Sequence, residues 1–120
     1  MIEEYKFGSI TINGKTYNYD VEVRWTGEVL KWWREGSHLI GVEDVKRVIG
    51  QKPDIIIIGT GETGLARVNE ETKDFILEKG IKLIIDKTEE ATRTFNVISE
   101  ESNEEDGKQS KVIGLFHLTC

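Results

Sequence analysis

The chain predicts an α/β layer architecture with a largely parallel core and antiparallel strands added at its start. Three observations carry this. Apolar and polar residues alternate with period two in the first third of the chain. Beyond it, strand-like apolar runs alternate with helical patterns. One run, Ile55 to Ile58, is apolar with no alternation, as a strand covered on both faces requires.

The 120 residues suit one domain, 1–120, with a meander over about 5–33 and strand–helix units over about 42–120. In "TYNYDVEVRW", Tyr17, Tyr19, Val21, Val23 and Trp25 point one way, and Asn18, Asp20, Glu22 and Arg24 the other. That predicts a strand with one buried and one wet face. Asn13-Gly14 joins "GSITI" to it, a pair that supplies the positive φ angles of a two-residue hairpin. Thr26-Gly27 turns the chain into "EVLKWW". Behind the small-residue lead-in 37–41, Val42, Val45 and Ile49 share a helical face. "DIIIIG" then forms the centre of the core, its four isoleucines worth roughly 6 to 12 kcal/mol before chain entropy is subtracted.

Asn69 is an N-cap with Glu70 and Glu71 in the first turn, and the helix it opens ends at Gly80. "IKLIID" predicts another covered strand. Thr88 caps a further helix, whose Ala91, Thr94, Phe95 and Ile98 recur at i, i+3, i+4 and i+7. The acidic stretch "EESNEEDGKQS" predicts a solvated loop, and "KVIGLFHLTC" a closing strand.

Composition narrows the function. A net charge of −6 argues against non-specific nucleic-acid binding, which needs a basic face. No apolar run approaches a membrane span, and "MIEEYKFG" lacks the order of a signal peptide. The single cysteine, Cys120, excludes an internal disulfide and fits a reducing cytoplasm.

"GTGETG", residues 59–64, has the spacing of a dinucleotide-binding loop, and Asp86 lies at the distance where an acid would meet a ribose. That fingerprint needs a helix opening at the glycines, whereas "LARV" intervenes and the capping signal waits until Asn69. A phosphate-gripping P-loop fails too, because Leu65-Ala66 stands where Lys and Ser or Thr belong. Two readings of the loop remain. Gly59 and Gly61 let the chain leave a buried strand through conformations closed to other residues. Alternatively, the amides of Thr60, Gly61 and Glu62 form a small anion nest at the strand's carboxyl end.

Other chemistry is sparse. His117 and Cys120, three apart on a strand, face opposite ways, and the terminal carboxylate disfavours a Cys120 thiolate. His38, His117 and Cys120 show no paired metal-ligand spacing, so neither metal nor cofactor is expected. In "KWWREGSH", one of Trp32 and Trp33 belongs to the core and the other to a groove or an interface, with Arg34 beside them. Arg93 projects from the last helix, within reach of an anion or of solvent.

"WWREGSH" (32–38), "IIIIGTG" (55–61), "TEEATRTFN" (88–96) and "LFHLTC" (115–120), each loose alone but specific as four in the right order, together resemble the adipogenesis-associated domain family. That family includes a mitochondrial complex I assembly factor and many uncharacterised bacterial and archaeal members. The resemblance runs from "FGSITINGKTY" onward, with an acidic stretch before the last strand longer than the family's usual one. It implies a three-layer domain with a central mixed, mostly parallel sheet flanked by helices, plus an N-terminal hairpin. It implies no established enzyme activity, and it makes Gly64 incidental, since only Gly-x-Gly typifies the family. No transit peptide is evident, so a mitochondrial location is not carried over.

Two functions are therefore expected. The first is a non-enzymatic interaction or assembly module, meeting a protein partner or a second copy through Trp32, Trp33 and Arg34. The alternative is a small-anion or small-molecule binding protein, or an enzyme, with its site at Gly59, Thr60 and Gly61, helped by Arg93 and His38.

Overall fold

A computed structural model of the chain describes residues 1–36, 38–104 and 109–120, the side chains of 102–104 excepted. Ser37 in the predicted lead-in and 105–108 in the predicted acidic loop lie outside the described residues.

The strands are β1 (Ile2–Lys6), β2 (Ser9–Ile12), β3 (Lys15–Tyr17), β4 (Val21–Arg24), β5 (Val29–Lys31), β6 (Leu39–Ile40), β7 (Ile55–Thr60), β8 (Arg67–Val68), β9 (Lys82–Asp86) and β10 (Val112–His117). Three helices join them: α1 (Val42–Ile49), α2 (Glu70–Glu78) and α3 (Thr88–Glu104). The central sheet is mixed, ordered β5-β4-β10-β7-β9, with β10-β7 and β7-β9 parallel and β10-β4 and β4-β5 antiparallel. Beside it lies the antiparallel sheet β1-β2-β3, and β6 and β8 form a short parallel pair.

Five expectations need correction. The strand read over 17–25 is two: β3 stays with β2 around the Asn13-Gly14 hairpin (φ 49° and 81°), while β4 crosses into the central sheet. Beyond the exposed Asn18, the face taken as wet is largely covered, because α1 packs across it and Arg47 meets the fully buried Glu22 there. The middle strand is β10, buried at every residue, and β7 lies between it and the edge strand β9. "IKLIID" is accordingly half exposed rather than covered. Finally, α3 runs into the acidic stretch as far as Glu104, since Glu, Ser and Asn continue a helix tolerably once it is nucleated.

The parallel strands explain the layers. The chain moves outward from β7 to β9 through α2, then back across β7 to β10 through α3. Because such crossovers keep one hand, reversing direction puts the two helices on opposite faces. Two cores result. Ile56, Ile58, Ile113 and Leu115 pack with Val45, Val48 and Ile76 of α1 and α2. Ile57, Val112 and Phe116 pack with Ala91 and Phe95 of α3 and with Ile2, Ile10 and Ile12 of the small sheet. The four isoleucines thus divide between two cores, which is why their run shows no polar alternation.

Candidate functional site

β7 delivers Gly59, Thr60 and Gly61 to the carboxyl edge of the parallel strands, where α/β proteins usually bind ligands. Packing fixes both glycines. A Cβ on Gly59 would lie 2.8 Å from Thr88 Oγ1 and 3.0 Å from Thr88 Cα, so the glycine lets α3 approach the strand. Gly61 has φ +101°, and a Cβ there would lie 2.5 Å from Thr119 O. The C-terminal tail therefore closes over this side of the loop.

The loop's polar groups turn inward as well. The Gly61 amide donates to Thr88 Oγ1 (2.8 Å), and the Glu62 amide to Thr119 O (2.8 Å). Thr88 Oγ1 in turn donates to His117 O, so this buried hydroxyl links loop, helix and last strand instead of capping α3. Neither amide is left to face an anion, and the nest expected at 60–62 does not form. No helix opens at Gly61 or Gly64; β8 comes first, and α2 begins at Glu70 behind Asn69. The arrangement a dinucleotide pyrophosphate needs is absent from the loop.

The supporting residues also part company. Arg93 lies in a different hollow, beside β1, with its guanidinium paired to Glu89 (3.1 Å) and Glu90 (2.9 Å). His38 is exposed, and its carbonyl accepts from the Arg67 amide at 2.7 Å, which ties the lead-in to β8.

Next to the loop, however, a cleft of ≈ 510 Å³ opens at the carboxyl ends of β7 and β9, facing the start of α2. Thr60, Thr63, Gly64, Arg67, Lys73 and Lys87 line it, together with Glu70 and Asp86. Lys73 pairs with Glu70 at 3.1 Å, whereas among the described residues Arg67 and Lys87 enter no ion pair. Neither residue was among the candidates expected from the sequence. The available signal was slight: Lys87 directly follows the "IKLIID" strand, and Arg67 opens the two-residue β8.

The aromatic cluster is sorted just as sharply. Trp32 is 4% exposed and donates its Nε1 to Asp44 O (2.9 Å), whereas Trp33 is 71% exposed. Arg34 is not on the surface: its Nη2 lies 2.7 Å from Asp20 Oδ2 and 2.8 Å from His117 Nδ1. His117 Nδ1 also lies 2.8 Å from Asp20 Oδ2, while Asp20 Oδ1 accepts from the Leu118 amide (2.8 Å). Burial opposes the charge on Asp20. The hydrogen bond with His117, the Leu118 amide, the positive charge that His117 carries when protonated, and Arg34 together outweigh it, and hold the carboxyl below its ordinary range. Tyr5 shifts the other way: burial, and then its hydrogen bond to Glu62 at 2.9 Å, push the phenol upward.

Trp33 lies between the buried Trp32 and the half-buried Arg34, and Lys31 Nζ stands 4.2 Å above its ring and 5.1 Å from the ring of exposed Tyr19. Arg34 and Trp32 drop out of the expected contact surface; Tyr19 and Lys31, which the sequence did not single out, enter it. Among the described residues no three His, Cys, Asp or Glu side chains converge as a metal would require, and no helix is long and apolar enough to cross a membrane.

Solved structures share this architecture. The conserved hypothetical protein PH1505 from Pyrococcus horikoshii OT3 is 23% identical, with a TM-score of 0.82, covering 100% of this chain and 99% of that one. A protein named MT938 is 25% identical, with a TM-score of 0.80 and coverage of 100% and 98%. A protein described as an outer membrane protein from Bartonella henselae is 24% identical, with a TM-score of 0.79 and coverage of 99% and 94%. Likeness at these identities is likeness of fold. The family model for proteins of unknown function DUF498/DUF598 matches residues 2–107, and the chain belongs to that family.

Proposed function

We propose that this chain acts by contacting another protein through a surface centred on Trp33. One observation carries the reading: the indole is 71% exposed, although its chain neighbours are the buried Trp32 and the ion-paired Arg34, and Lys31 stands above its ring. An aromatic side chain has few rotatable bonds to freeze on binding, and large aromatics supply much of the energy at protein interfaces. The resemblance to the adipogenesis-associated domain family, with its complex I assembly factor, supports the same direction. A quantitative pull-down from cell extract tests it. Trp33→Ala should weaken partner recovery at least about ten-fold with melting unchanged; equal recovery with the variant would sink the reading.

The cleft favours a second reading, in which the chain binds a small anionic molecule. Arg67 and Lys87 offer it positive charge where the strands end, and the Thr60 loop supplies the floor rather than the ligand contacts. A thermal-shift screen with nucleotides, phosphates and small carboxylates is the check. A concentration-dependent rise in Tm that is lost in Arg67→Ala and Lys87→Ala supports this reading. A silent panel, or a rise that both variants keep, removes it. Gly61→Val is unsuitable here, since its side chain would collide with the C-terminal tail whatever the loop binds.

A further inference from the structure

The central sheet has two edges. β5 contributes three residues, but β9 contributes five, and among the described residues no strand pairs with its outer side. Such a row of unpaired backbone groups is a template for another strand unless a proline, a bulge or an inward charge blunts it. β9 has neither proline nor bulge, and its edge charges, Lys82 and Asp86, stand only at its two ends and are of opposite sign. Its ladder with β7 runs without a register shift from Lys82 to Asp86, and the chain's single proline lies elsewhere, at Pro53.

The free groups can be assigned. The Lys82 amide donates inward to Asp54 O at 3.1 Å. In a parallel ladder the bonding direction alternates, so Lys82, Ile84 and Asp86 bond toward β7, while the N–H and C=O of Leu83 and Ile85 face outward. Their side chains are not fully covered either: Leu83 and Ile84 are half-buried, and Ile85 is 37% exposed.

We propose that β9 is a self-association strand, pairing antiparallel with β9 of a second copy of this chain about a two-fold axis at Ile84. The sequence "KLIID" selects that occupant and that register. Centring the axis on Ile84 sets Leu83 opposite the partner's Ile85, and each such pair exchanges two backbone hydrogen bonds, using the four outward groups. It also sets Lys82 opposite the partner's Asp86, twice by symmetry, which makes the surface self-complementary as a two-fold interface must be. Slipping by two residues would place Lys82 opposite Ile84 and lose both ion pairs. Slipping by one would turn the inward-bonding residues to the partner. A parallel neighbour would oppose Lys82 to Lys82. The two five-stranded sheets thereby become one continuous sheet, with Ile85 covered. This surface is separate from Trp33 and does not depend on it.

Sedimentation velocity across a concentration series, on the full chain, tests the pairing by charge exchange. Wild type should dimerise reversibly. Lys82→Asp opposes two Asp pairs, and Asp86→Lys two Lys pairs. Each should raise the dimer dissociation constant about ten-fold or more, and the double variant should recover it. Lys82→Asp is the cleaner single change, because Asp86 Oδ1 also accepts from the Lys87 amide at 2.9 Å. Trp33→Ala should leave the dimer intact. A chain that stays monomeric up to its solubility limit overturns the proposal, as does a dimer indifferent to the charge changes or a folded double variant without recovery. Should the double variant not fold, Ile84→Cys in a Cys120→Ser background decides. Residue 84 faces itself across the axis at disulfide distance, so oxidation should give a covalent dimer, and a monomeric product overturns the pairing.

Discussion

Asp20 and Glu22 are both carboxylates met by arginine: one guanidinium at Asp20 and two at Glu22. Glu22 takes Arg24 (2.7 Å) on one oxygen and Arg47 (2.9 Å) on the other, and no part of it is exposed. Asp20 is held by Arg34, His117 and the Leu118 amide, which fastens the segment before β4 to the end of β10. Removing the Asp20 charge leaves Arg34 buried without its carboxylate, so Asp20→Asn should cost about 3 kcal/mol at neutral pH. Because the carboxyl titrates below its ordinary 3.8 in the folded state, its contribution is complete above that unfolded value. It is lost as pH falls through the lower folded value. Urea unfolding at neutral pH and again well below pH 3.8 should therefore show the gap between wild type and variant closing in acid. A gap of constant size would mean that the Asp20 charge adds nothing to stability.

At the scale of elements, local chemistry decided some boundaries and neighbours decided others. α2 begins where the capping signal put it: the Asn69 side chain accepts from the Thr72 amide at 2.8 Å, and Gly80 follows the helix with φ +76°. Asn69→Ala should lower stability by about 1 kcal/mol without moving the helix register. Chemical denaturation measures the loss, and an unchanged midpoint would show that the cap is redundant with the contacts of Ile76. The start of α3 followed a different rule. Thr88 reads as a cap, but its hydroxyl bridges Gly61 and His117, so tertiary partners claim a group that local sequence reserves for the helix. The break between β3 and β4 is of the same kind, since nothing in the alternation of "TYNYDVEVRW" marks the point where the chain changes sheets.

For the whole molecule, the sequence by itself determined what depends on near neighbours along the chain. The Asn13-Gly14 hairpin, the Asn69 cap, the unalternating isoleucines and the delay between Gly61 and the next helix are all properties of a few consecutive residues. They were enough for the α/β class and for setting aside the dinucleotide loop. Only the tertiary structure decided which of Trp32 and Trp33 is buried. It alone placed β10 rather than β7 in the middle of the sheet, left the "KLIID" edge open, and brought Arg67 and Lys87 to one cleft. The reason is physical: burial and charge pairing depend on what arrives from distant parts of the chain. A polar residue in an alternating strand looks the same whether water or an arginine from α1 waits opposite it.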